Sequence, residues 1–200
     1  MHVEVVTAAV EGIVDEAVVR RLAKHAELEM GSVYGKNGKD HLRQRIRGYN
    51  NAARFSLWII LVDLNFEAEC APPLRNSWLP QPADKMCFRV AVRKVESWLL
   101  GDRERIANFL RVQSVSIPPS PDALPDPRDA MVALAAQSRR PDIREDMLPR
   151  PGSGRPIGPA YTSRMIEFVE NYWRPEVAAR SSDSLRRCLR RLGEIARGRQ

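Results

Sequence analysis

Polar and apolar positions along the chain fall into two recurring patterns, short β-rich apolar runs and longer stretches at helical spacing. Residues 3–10 (VEVVTAAV) predict a first strand, closed by Glu11-Gly12, whose glycine permits a sharp turn. Val18, Val19, Leu22, Ala23, Ala26 and Met30 then recur at helical spacing behind Asp15-Glu16, acids suited to a first helical turn. Residues 31–35 predict a weak second strand, and Lys36-Asn37-Gly38-Lys39 a basic turn. A helix to about Ala53 follows, with Leu42, Ile46 and Tyr49 inward. Trp58-Ile59-Ile60-Leu61-Val62 is apolar without interruption, as in a strand buried on both faces. This order predicts a parallel sheet with right-handed crossovers.

Beyond it, residues 70–79 predict a short helix interrupted at Pro72-Pro73, and residues 85–92 a fourth strand. Helical spacing resumes at Val95, Trp98 and Leu99, and a second short helix runs from Arg103 to Leu110 behind Asp102 as N-cap. Prolines 118, 119, 121 and 125 forbid regular structure there. A helix opens at Pro127, residues 141–159 read as a long loop, and residues 161–172 and 184–196 as amphipathic helices. The expected fold is α/β, a mainly parallel sheet flanked by helices with a helical C-terminal lobe. Its expected divisions are 1–112 (α/β domain), 113–159 (proline-rich connection with one helix) and 160–200 (basic helical lobe).

Charge sharpens this picture. The net charge of +7 is concentrated late, with 11 Arg against 5 acidic residues in 150–200. Arginine without lysine suits bidentate phosphate contacts, although a solvated helix face is the plainer account. No apolar stretch approaches a membrane span, the N-terminus lacks a secretion pattern, and three scattered cysteines without paired spacing imply reduced thiols. A cytoplasmic protein is expected, with no membrane partner; a homo-oligomer is compatible with the sequence.

Candidate chemistry lies where two apolar strands end in acids: Glu11 with Asp15, and Asp63, Asn65 and Glu67 at alternate positions. Parallel neighbouring strands would bring both groups to one sheet edge, where open α/β folds bind ligands. Crowded carboxylates repel, and a divalent cation is the natural compensation. The plainer account is that Glu11 and Asp15 cap a helix while Asp63 and Glu67 begin a solvated loop. Glu96 could add a ligand or pair with Arg93 or Lys94; Trp98 reads as core. Lys36, Lys39, Arg43 and Arg47 form a basic group on one helix and its preceding turn, and Arg89 and Arg93 are candidate phosphate cations. Arg150, Arg155 and the Arg186-Arg187 and Arg190-Arg191 pairs could track a nucleic-acid backbone.

Val10-Glu11-Gly12-x-x-Asp15 followed by a strand ending Asp63-x-Asn65-x-Glu67 resembles the Toprim fold of topoisomerases, bacterial primases and the overcoming-lysogenization-defect (OLD) nucleases. Val92 to Asp102 and Ser182-Asp183-Ser184-Leu185 make the chain similar to the small standalone Toprim-like proteins grouped as DUF4276. The first resemblance covers about residues 3–100, the second nearly the whole chain.

The resemblance implies that Glu11 is a general acid or base, or a metal ligand, and that Asp15 is the acid four positions on. It makes Asp63 the first aspartate of the Asp-x-Asp metal motif. Asn65 stands where the second aspartate is expected, which lowers the charge of the site, and Glu67 extends the motif. On these terms the protein is a Mg²⁺- or Mn²⁺-dependent nuclease. Glu11 would be catalytic, and Asp15, Asp63, Asn65, Glu67 and Glu96 would surround the metal. Lys36, Lys39, Arg43, Arg93, Arg150, Arg155, Arg186, Arg187 and Arg190 would hold DNA or RNA. OLD-type relatives join their Toprim domain to an ABC-type ATPase, so a separately encoded ATPase in phage defence or genome maintenance is an expected partner. The alternative is a catalytically weak subunit that binds a partner protein or nucleic acid; a small-molecule phosphotransfer enzyme is a third.

Overall fold

The computed structural model describes residues 4–198; Val3, where the sequence starts the first strand, His2 and residues 199–200 of the expected C-terminal lobe lie outside them. Four strands build one sheet: β1 (Val5–Val10), β2 (Glu29–Gly35), β3 (Leu57–Asp63) and β4 (Met86–Ala91). All neighbours are parallel, in the order β2-β1-β3-β4. Helix α1 (Ile13–His25) joins β1 to β2, α2 (Lys39–Ala52) joins β2 to β3, and α3 (Ala71–Trp78) joins β3 to β4. The α/β class with a parallel, helix-flanked sheet is therefore the architecture of this chain.

Every residue of β3 is buried, as its unbroken apolar run requires for a strand covered on both faces. Alternate residues then feed opposite cores. Ile59 and Leu61, with Val6, Ala8 and Val10 of β1, meet α1 and the helices that follow β4. Trp58, Ile60 and Val62, with Phe88 and Val90 of β4, meet α2 and α3. The remaining helices are α4 (Val95–Leu100), α5 (Arg103–Leu110), α6 (Pro127–Ala136), α7 (Pro141–Met147), α8 (Tyr161–Asn171), α9 (Pro175–Ala178) and α10 (Asp183–Ala196). Met131, Phe168, Trp173, Leu185 and Leu192 from this C-terminal half share the first core with the sheet.

Three local expectations change. The helical pattern does not run through to Met30: α1 ends at His25, Glu27 takes a left-handed φ of 58°, and Met30 pairs with Val6 inside β2. Pro72-Pro73 do not interrupt α3 but occupy its first turn, where a missing N–H leaves no helical bond unmade. Residues 141–147 are helical, not loop, with Pro141 again in the opening turn.

The topology fixes where a ligand would bind. From β1 the chain moves outward to β2, whereas from β3 it moves the opposite way to β4. The carboxyl ends of β1 and β3 therefore flank a topological switch point, the crevice where open α/β sheets receive ligands. Gly35 closes one side of it: its φ is +86°, and a Cβ there would lie 2.3 Å from the Val10 carbonyl oxygen.

Candidate functional site

Glu11 follows β1 directly and Asp63 ends β3, so both stand at the switch point. Glu11 Oε1 accepts a hydrogen bond from the Asp63 backbone N–H at 2.7 Å, tying the two strand ends together. Asp63 Oδ1 accepts from Val95 N–H at 2.8 Å and thereby caps the first turn of α4 from a neighbouring strand. Asp15 Oδ2 accepts from Gly12 N–H at 2.8 Å, reaching back from the third helical position to the N-cap backbone of α1. Helix capping thus accounts for one oxygen of Asp15, but not for what surrounds it.

Asp15, Asp63 and Glu96 are 8%, 7% and 1% exposed, an acidic concentration that water does little to screen. Burial raises the Asp15 carboxyl to about 7, with Glu11 and Glu96 adding repulsion against the Gly12 N–H and Arg128. Burial and the charges of Asp15, Glu96 and Glu11 raise Asp63 well above its usual range. Burial also raises Glu11, opposed by the Asp63 N–H and the nearby Lys39. Burial and neighbouring acids therefore disfavour the charged forms of Glu11, Asp15 and Asp63.

Two cations partly compensate. Arg128, the second residue of α6, places Nε 2.8 Å from Glu96 Oε1, and the Tyr161 hydroxyl donates to the same oxygen at 3.3 Å. Glu96 Oε2 has no partner although it is buried. Lys39, at the start of α2, donates to the Asp63 carbonyl oxygen and meets Glu67 Oε1 at 2.7 Å. Sequence reasoning missed Arg128 and Tyr161, which arrive from helices closed over the site by long-range packing. Lys94, the residue before α4, pairs with Asp126 rather than Glu96.

Asn65 and Glu67 sit differently from Asp63. The strand ends at Asp63 and Asn65 takes a left-handed φ of 51°, so they belong to a turn, not to one strand face. Arg93 faces this turn, donating from Nη1 to the Asn65 carbonyl at 3.0 Å and to that of Ala68 at 3.2 Å.

The other basic candidates are dispersed. Lys36 pairs with Glu16 at 2.9 Å. Arg43 and Lys39 both lie 5.8 Å from the Trp78 ring centre, in cation–π contact. Arg47 is exposed on α2. Arg150 and Arg155 line a separate recess of about 290 Å³. On α10, Arg186 and Arg187 pair with Asp183, and Arg190 approaches Glu194 at 3.8 Å. None of the α10 arginines is paired with the carboxylate cluster among the described residues.

The donors at the switch point are carboxylate oxygens, the chemistry a hard divalent cation prefers. The unpartnered Glu96 Oε2 and the raised carboxyls of Asp15 and Asp63 give such an ion both a vacant acceptor and a charge deficit to fill. Among the described residues no three His, Cys, Asp or Glu side chains are already gathered as a metal-holding group. The acids are instead each turned toward a backbone N–H or Arg128. Compared with known proteins, the chain matches no family model, and no curated protein or solved structure shows significant similarity to it.

Proposed function

We propose that the chain is a Toprim-like, divalent-cation-dependent phosphodiesterase acting on nucleic acid, with its reaction centre at the β1/β3 switch point. The observation that carries this reading is the cluster of partly buried Glu11 with buried Asp15, Asp63 and Glu96, which holds more carboxylates than neighbouring cations. An oxygen-only anionic cluster of this kind favours a hard cation and, through it, phosphate. Asp63 and Asp15 would hold the ion, with Glu96 supplying its free oxygen. A bound Mg²⁺ or Mn²⁺ would neutralise phosphate oxygens and lower the pKa of a water.

The chain's own residues would do the rest. Glu11, less buried than the aspartates and with its carboxyl raised, would take a proton from the attacking water. Lys39, on the same rim, would release Glu67 and meet a non-bridging phosphate oxygen. Arg43 would extend the positive track along α2. An ABC-type ATPase encoded separately, in a cytoplasmic defence or maintenance system, is the partner this reading implies, and affinity capture that returns no ATPase would remove that part of it.

A second reading is a catalytically weak subunit that binds nucleic acid or a partner protein. It is favoured by Asn65, which supplies an amide where a carboxylate would strengthen the site, and by Lys39, whose ammonium already sits on the Asp63 carbonyl. Plasmid nicking in Mn²⁺ separates the two. Glu11→Ala and Asp63→Ala should each lower nicking about a hundredfold or more. Equal activity in wild type and both variants would reject the site. Inactive wild type with salt-sensitive DNA binding would favour the second reading.

A further inference from the structure

A cavity of about 380 Å³ opens along β4, one of the two edge strands of the sheet, between α3 and the start of α10. That volume is in the range of small-ligand pockets. Its walls combine three guanidinium groups, Arg75, Arg89 and Arg187, with the apolar surfaces of Pro72, Phe88 and Val90. A second recess of about 270 Å³ shares Arg75, Phe88 and Arg89 and continues the groove to Arg191.

Two buried polar atoms on this wall have no partner, Arg89 Nε and Asp122 Oδ1. An unsatisfied buried donor is costly, more so when charged, and a ligand would recover that cost. Arg75 and Arg89 form no salt bridge among the described residues, whereas Arg187 is shared with Asp183. The other Asp122 oxygen is engaged by the hydroxyls of Ser182 and Ser184, leaving Oδ1 as the pocket's acceptor. The cavity therefore offers cationic donors at one part, an apolar wall beside them, and a single acceptor.

We propose that this pocket binds a nucleoside phosphomonoester, its phosphate held by Arg75 and Arg89, its ring against Phe88 and Pro72, and a sugar hydroxyl donating to Asp122. Free mononucleotide and the phosphorylated end of a strand present the same group. The site is distinct from the carboxylate cluster and does not rest on that cluster being catalytic.

The test is calorimetric titration of the full chain in EDTA, which silences cation-bridged phosphate binding, with AMP, adenosine, and a short single strand with or without a 5′-phosphate. Phosphate-dependent binding is expected, weakened about tenfold or more in Arg89→Gln and in Arg75→Gln by loss of a charged hydrogen bond, and unchanged in Arg105→Gln at an exposed position of α5. AMP binding alone identifies the free nucleotide; binding of the phosphorylated strand alone identifies the strand end. Should Arg89→Gln not fold, Arg75→Gln, on an exposed position of α3, decides the matter by itself. Absence of binding, equal binding with and without phosphate, or equal loss in Arg105→Gln overturns the proposal.

Discussion

Glu96 is the residue on which the electrostatics of the carboxylate site turn. Its side chain is 2% exposed, and its salt bridge to Arg128 Nε, at 2.8 Å, is made by a guanidinium that keeps 37% of its surface in water. A pair so placed adds little net stability, yet removing one partner strands the other charge out of water. Arg128→Met should therefore cost about 3 kcal/mol, at the low end for a broken buried pair because solvent reaches the arginine side. Glu96→Gln should cost less, since the amide keeps the Tyr161 contact without a charge. The double variant should recover much of the single loss. Urea unfolding of the three proteins measures this, and strictly additive changes would show that the two side chains do not act as a pair.

At the scale of elements, the short C-terminal helices hold the site by close backbone approach. A Cβ on Gly101, at the end of α4, would meet the Ala178 carbonyl oxygen at 2.7 Å and its Cα at 3.1 Å. Backbone cannot swing aside as a side-chain tip can, so Gly101→Ala should cost about 1–3 kcal/mol by overpacking and lower the melting temperature. An unchanged melting temperature would mean that α9 shifts freely from α4. These contacts also explain what the sequence could and could not reveal. β1, β3 and β4 announce themselves as apolar runs, and Glu11 and Asp63 are legible because they stand at strand ends. β2 is obscured because Met30 continues the helical spacing of α1, and only the left-handed Glu27 separates them. Prolines 72, 73 and 141 look like breaks and serve as helix openings. The alternation of Asp63, Asn65 and Glu67 is real in the sequence, but the strand stops before it can place them on one face. Arg128 carries no local mark at all, since its meaning depends on α6 packing over α4.

At the scale of the whole molecule, the crossing of connections at β1 and β3 gathers acids from several elements at one crevice, and this makes stability depend on pH and, on the proposed function, on cations. Asp15, with a carboxyl raised to about 7, and Asp63 and Glu11, also raised, bind protons more tightly folded than unfolded. Their contribution is fully present below about pH 4, the unfolded carboxylate range, and is lost as pH rises through the folded values. Glu16, Asp126 and Asp183 are lowered by their basic partners and work in the opposite sense, but their stabilisation is lost only as pH falls through the acid range. Between about pH 5 and 7 the cluster therefore governs the slope, and metal-free protein should become less stable across that interval; above it Cys87, lowered to about 7 by its hydrogen bond with Cys188, works in the opposite sense. A cation that occupies the site binds the ionised acids, so millimolar Mg²⁺ should raise the melting temperature more at about pH 8 than at about pH 5. Asp15→Asn removes one titrating group and one ligand together. It should flatten the pH slope and shrink the Mg²⁺ effect while leaving the metal-free protein at about pH 8 as stable as wild type or more so. Thermal unfolding with and without EDTA across this range reads all three quantities. A Mg²⁺ shift of equal size at both pH values, or one that Asp15→Asn leaves intact, would place cation binding elsewhere on the molecule.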